Sequence, residues 1–134
     1  MRVFADAFFY VALINRRDEH HARVMAWSNT FEGEIVTSQW VLTEVADAFA
    51  DSHCRRQLRE GFAALTEDPS TQVIEVSPEH FTRGLELYDG RPDKAWSLTD
   101  CISFVIMKEE GLTEALTGDR HFEQAGFRAL LAAS

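Results

Sequence analysis

The sequence predicts an α/β fold in three layers: a parallel sheet of about four to five strands with helices on both faces. Three observations carry this. Short apolar runs alternate with longer stretches of helical periodicity along the whole chain, the pattern of successive strand–helix units. No repeat, low-complexity segment or linker divides the 134 residues, so residues 1–134 are expected to form a single domain. Hydrophobic residues make up 46% of the chain, and 10 Phe and 3 Trp supply bulk for one core.

Residues 2–5 (RVFA) read as a short buried strand, followed at once by a helix over 7–14 (AFFYVALI). Residues 16–31 place Ala22, Met25, Ala26 and Trp27 at helical spacing. A second strand is expected at 34–38 (EIVTS), and Ser38 is a good N-cap for a helix over 39–51. A further helix covers 53–68 and is closed by Pro69, after which 72–76 (QVIEV) is a third strand. Ser77-Pro78 opens another helix with proline at its first position, where the missing N–H costs nothing. Beyond a loop holding Gly90 and Pro92, residues 97–111 form a helix ended by Gly111. Residues 113–118 are the fourth strand and lead into a short amphipathic stretch.

The formal net charge is −9, from 22 acidic and 13 basic residues. Such acidity disfavours sequence-blind binding to phosphate backbones, so any nucleic-acid role must rest on a local basic patch or on metal ions. Two cysteines, Cys54 and Cys101, are too few for a disulfide framework and lack metal-ligand spacing. There is no charged leader with a cleavage site and no apolar run near the ~20 residues that span a bilayer. A cytoplasmic protein with buried thiols and no membrane partner is the expectation.

Four acids stand out by position. Asp6 and Asp119 fall at the carboxyl ends of expected strands, where ligands of open parallel sheets gather. Glu44 lies at the edge of the stripe formed by Val41, Val45, Ala48 and Phe49. Asp100 starts a helix whose next seven residues (CISFVIM) are apolar apart from Ser103, a buried helix. Each has an ordinary reading. Asp100 completes a capping box with Ser97, Asp6 and Asp119 can cap the helices that follow them, and Glu44 can be a solvated flank residue. Those readings leave unexplained why strand-end and helix-start acids recur in this order.

The stretches 4–21, 38–49, 96–111 and 115–127 resemble the PIN-domain family, in its VapC-type toxin-like branch. The likeness covers essentially the whole chain, and the last two stretches are its most specific part. It implies a PIN-like fold, a divalent magnesium or manganese ion, and endoribonuclease activity on RNA. It also implies a possible antitoxin partner and a place for this chain as the toxin of a type II toxin–antitoxin pair. The family's four acids fall on Asp6, Glu44, Asp100 and Asp119, as catalytic residues and metal ligands, with Asp6 and Asp100 the first of these. Ala7 stands where the family often has Ser or Thr, and Ala95 where close relatives often have an acid. A non-catalytic PIN module that binds protein or RNA is the alternative.

The chemistry has its own physical grounds. Two carboxylates about 5 Å apart repel by roughly 3 kcal/mol at an effective dielectric near 20. A cluster of four therefore tends to hold protons or recruit a cation, and hard oxygen donors suit magnesium and manganese. A haloacid-dehalogenase site would need a second Asp where Phe8 stands. A receiver domain would need paired acids near the first strand and a late lysine, and neither is evident.

His20 and His21 would diverge by about 100° on a helix and make a poor chelate, so both read as surface residues, and His121 as an exposed loop residue. Arg16-Arg17 and Arg55-Arg56 with Arg59 are the basic clusters; solvated helix faces are their default, and phosphate contacts lie there if RNA binds. Phe8, Phe9 and Tyr10 read as core. The apolar bulk of the amino-terminal half (Phe8, Phe9, Tyr10, Met25, Trp27 and Trp40) leads us to expect a two-fold homodimer that buries part of it.

Overall fold

The computed structural model describes residues 1–51 and 53–132. The first half runs β1 (Arg2–Ala5), α1 (Ala7–Ile14), α2 (His21–Thr30), β2 (Glu34–Ser38), α3 (Gln39–Ala48) and α4 (Arg55–Glu67). The second runs β3 (Thr71–Ile74), α5 (Pro78–Gly90), α6 (Leu98–Glu109), β4 (Glu114–Leu116), α7 (Arg120–Gln124) and β5 (Arg128–Ala129). The strands form one parallel sheet in the order β3-β2-β1-β4-β5. Among the described residues no helix is long and apolar enough to cross a membrane.

Consecutive strand residues point to opposite faces, so a strand buried at every position must be covered on both. Val3, Phe4 and Ala5 are fully buried in β1, which pairs with β2 through Phe4↔Val36 and with β4 through Phe4↔Ala115. Helices therefore cover both faces of the sheet. On one side of the core Phe4, Phe104 and Phe122 pack ring against ring, at 6.5 Å and 5.0 Å between centroids, and Trp96 closes on Phe104 at 5.1 Å. Elsewhere Phe9 meets Trp27 edge-on at 5.9 Å, and Trp27 stacks on Phe31 at 4.4 Å.

Helix ends follow the caps read from the sequence. Ser38 accepts from the Val41 N–H at 3.2 Å, and Ser77 accepts from the His80 N–H at 3.1 Å with Pro78 behind it. α6 is buried nearly all round, including Cys101, Ile102, Phe104, Ile106 and Met107. α5 approaches α6 so closely at Gly84 that a β-carbon there would collide with the Ile102 side chain.

The differences from expectation are local. Residues 15–20 are turns, because Asn15 and Asp18 accept from the backbone two residues on and compete with helix there. The third strand is 71–74 rather than 72–76, and the fifth is a two-residue bridge at Arg128–Ala129, too short for a periodic signal. The apolar surface expected for a homodimer lies elsewhere. Phe9 and Tyr10 are buried, and Phe8, Trp27 and Trp40 pack against the chain's own core. Of the six residues named, Met25 alone is exposed; the other exposed large apolar side chains among the described residues are Met1, Val76 and the stripe of Phe81, Leu85 and Tyr88 along α5.

Candidate active site and metal centre

The strand order places a crevice with no choice of side chains. β1 is followed in sequence by β2 on one side, and the chain later crosses to lay β4 on the other. The carboxyl ends of β1 and β4 thus flank the point where the winding reverses, the usual binding crevice of open α/β sheets. Asp6 follows β1 directly, and Asp119 lies three residues beyond β4.

Asp6 occupies the N-cap position of α1 yet makes no side-chain cap bond. Its Oδ2 instead accepts from the Thr117 hydroxyl at 3.0 Å. The same hydroxyl oxygen accepts from the Asp119 N–H at 3.0 Å, so one threonine couples the first and last acids. Ala7 offers no hydroxyl after Asp6; Thr117 brings one to that carboxylate from the neighbouring strand end. Gly118 lets this turn close, since a β-carbon there would lie 2.7 Å from the Phe8 ring.

Asp100 and Asp119 combine ordinary and chemical roles. The capping box is present: Asp100 Oδ2 accepts from the Ser97 N–H at 3.2 Å, and the Asp100 N–H donates to Ser97 Oγ at 3.0 Å. That same Oδ2 lies 3.0 Å from His121 Nδ1. Asp119 Oδ1 caps α7 by accepting from the His121 N–H at 2.9 Å and is 3.4 Å from His121 Nδ1. Capping fixes the orientation of each carboxylate and leaves it a second oxygen.

The electrostatics are those of crowded acids. Burial, chiefly, pushes the Asp6 carboxyl up to about 7, and the charges of Asp100 and Glu44 push the same way. Hydrogen bonds from the Ala7 N–H and Thr117 hydroxyl oppose the rise and do not cancel it. Half-buried Glu44 is also raised, by burial first, then by Asp100, against a hydrogen bond from Thr99, with Asp119 and Asp47 adding to the rise. The structure therefore brings all four acids singled out from the sequence into one field. Two residues the sequence reading missed belong with them, Thr117 and His121. His121 is no exposed loop residue: its side chain is 29% exposed, at the start of α7 between two carboxylates. Its spacing of two from Asp119 was the available signal.

Asp100, Asp119 and His121 each offer a ligand atom, all within 4.8 Å of one another. Carboxylate oxygens beside an imidazole, next to an acid that burial keeps protonated, form a donor set that fits a small hard divalent cation. A bound cation would stabilise the ionised carboxylates and the neutral imidazole of His121.

The sequence model of the PIN domain matches residues 3–128. The 23S rRNA-specific endonuclease VapC20 of Mycobacterium tuberculosis is 25% identical over 125 residues, covering 93% of this chain and 95% of that protein. The crystal structure of VapC20, described as a sarcin–ricin loop cleaving toxin, superposes with a TM-score of 0.85 at 24% identity, covering 93% of this chain and 95% of that one. VapBC2 from Rickettsia felis, bound to a promoter DNA fragment, gives 0.67 at 14% identity, covering 96% and 97%. A toxin–antitoxin complex from Klebsiella pneumoniae gives 0.62 at 16%, covering 88% and 87%.

The raised carboxyl has a signed consequence. Asp6 keeps its proton to about pH 7 when folded, against an ordinary value of 3.8. Between those values the native state binds more protons than the unfolded chain, so this group's contribution to stability falls as pH rises, by at most ~1.4 kcal/mol per pH unit. Asp6→Asn should accordingly gain melting temperature relative to the wild-type chain as metal-free samples go from about pH 4.5 to 7. Manganese should narrow that gap by binding the wild-type cluster. Melting curves that stay parallel across this window contradict the crowded-acid geometry.

Proposed function

The chain belongs to the PIN-domain family, and from that membership we infer that its acidic crevice is the active site of a divalent-metal-dependent endoribonuclease. The observation that carries the reading is the convergence of Asp6, Glu44, Asp100 and Asp119 at the reversal of the sheet, with one carboxyl held protonated by the others and by burial. Asp100, Asp119 and Asp6 are the residues that would hold the ion, with Glu44 completing the charge and His121 beside them. When bound, magnesium or manganese would neutralise charge on phosphate oxygens and make a water nucleophilic at neutral pH. The chain's own part is to fix the donors. Thr117 orients Asp6, Ser97 and the α6 backbone orient Asp100, and the α7 backbone orients Asp119.

Ribosomal RNA is the proposed substrate class, because a relative matched along nearly its whole length is a 23S rRNA-specific endonuclease. The net charge of −9 supports selectivity, since general attraction to phosphate backbones is weak. A structured RNA pool containing ribosomal RNA should be cut by the chain with manganese or magnesium and left whole after chelation. Asp6→Asn should fold and lose more rate than the roughly 10–100-fold typical of removing an outer partner of a metal ligand. An intact pool with a chain that still binds metal would favour the non-catalytic PIN module.

The role as a toxin brings two protein partners into the proposal. One is an antitoxin, the kind of partner present in the Klebsiella complex. The other is a second copy, docked through Phe81, Leu85 and Tyr88 of α5, which are 38 to 46% exposed and form one stripe. Light scattering should give twice the 15.2 kDa chain mass, and Phe81→Glu should return a monomer. A monomeric wild-type chain at micromolar concentration contradicts the dimer, and co-expression with the neighbouring gene product tests the antitoxin.

A further inference from the structure

Two basic clusters far apart in sequence meet in the fold. Arg16 and Arg17 follow the end of α1, and Arg55, Arg56 and Arg59 lie in the first turns of α4. A cavity of about 330 Å³ between these segments is lined by Ile14, Asn15, Arg16, Arg17, His53, Cys54 and Gln57. The Asn15 side chain accepts from the Arg17 N–H at 3.1 Å and holds the turn that presents both arginines. Among the described residues, Arg56 alone of the five has a carboxylate within 4.0 Å, Glu60 at 3.6 Å. The chain carries 22 acids against 13 basic residues, so two arginines without a carboxylate partner in the lining of one cavity, beside a helix that starts with two more, are an exception to its own composition. α4 also has no acid in its first turn and places two arginines there, the end of a helix that disfavours cations. Local rules are broken in this way where a site gains from it.

The cavity is connected to the crevice. α1 begins next to Asp6 and ends at Ile14, which lines the cavity, so about 12 Å of helix separates them.

We propose that this arginine-lined cavity between α1 and α4 is a phosphate-binding exosite that holds the RNA strand flanking the cleaved bond. It rests on the ribonuclease reading and adds a location to it. The exosite supplies the cations that the acidic crevice lacks, and the ion in the crevice serves the scissile phosphate alone. RNA affinity therefore depends first on Arg16 and Arg17, which line the cavity, while turnover of bound RNA depends on the acids.

The test uses the full chain and a fluorescent stem–loop RNA with the sequence of the sarcin–ricin loop. On an Asp6→Asn background with manganese, so that the RNA stays whole, Arg16→Gln with Arg17→Gln should weaken binding about tenfold. The plot of log affinity against log salt should flatten by about 1.4, or 0.7 for each lost phosphate contact. Arg55→Gln with Arg59→Gln, on α4 but outside the cavity lining, should weaken binding less, and Arg128→Gln at the sheet edge should change neither affinity nor slope. With Asp6 restored, the arginine variants should show raised KM with kcat within about twofold. Unchanged affinity and salt slope in the Arg16 and Arg17 pair overturn the exosite and leave the nuclease reading standing. A wild-type chain that cuts no RNA defeats the nuclease reading, and the binding arm still decides whether this cavity holds RNA. Variants that bind RNA normally but no longer retain a co-expressed antitoxin would assign the arginines to an acidic protein partner and overturn the proposal.

Discussion

The constraint on which the rest of the structure depends is the burial of a carboxyl group among other acids where the sheet reverses. Asp6 is 5% exposed and faces the charges of Asp100 and Glu44. A cluster of this kind persists only if its surroundings fix it in place and something of opposite charge relieves it. The surroundings are visible. β1 is buried on both faces and central in the sheet, so the backbone that carries Asp6 has little freedom. Thr117 ties Asp6 to the turn that carries Asp119, and α6 delivers Asp100 on a helix buried almost all round.

The ordinary roles of these residues are part of how the site works. A capping acid is commonly read as an alternative to a catalytic one, yet Asp100 caps α6 and also meets His121 through the same oxygen. Asp119 likewise caps α7 while facing the histidine. Helix starts are where backbone N–H groups can hold a carboxylate in one orientation at modest cost. A site built on them gains precision from bonds that the helices need in any case. Asp6 is the exception, for its cap position is not used as a cap, and its carboxyl is the one pushed furthest from its ordinary value.

Much of this was legible in the sequence, for physical reasons. Strand–helix alternation, the Ser38 and Ser77 caps and the buried apolar run of α6 are local signals, and each element formed near its expected bounds. The four acids were legible because their positions at strand ends and helix starts follow from the same local pattern. What local pattern does not carry is which surfaces meet. β5 is defined by pairing with β4 rather than by its own two residues. His121 lies beside Asp100 only because α7 packs on α6, and Arg16 and Arg17 share a cavity with Cys54 and Gln57 only because α1 packs on α4. The apolar residues of α1 and α2 were counted as exposed surface; all of those named but Met25 are covered, because the two helices pack on one another and α1 packs on the sheet.

The most direct measurement of the central claim is the proton count of metal binding. Manganese is titrated calorimetrically into the chain at about pH 6, in two buffers of different ionisation enthalpy. If a cation replaces the proton that burial, aided by the neighbouring acids, keeps on Asp6, binding should release close to one proton per ion, and affinity should rise with pH up to about 7. Asp6→Asn should bind more weakly and release essentially none. Tight binding with no proton released, at an affinity that does not change with pH, would contradict the account of a carboxylate cluster held together by its ion.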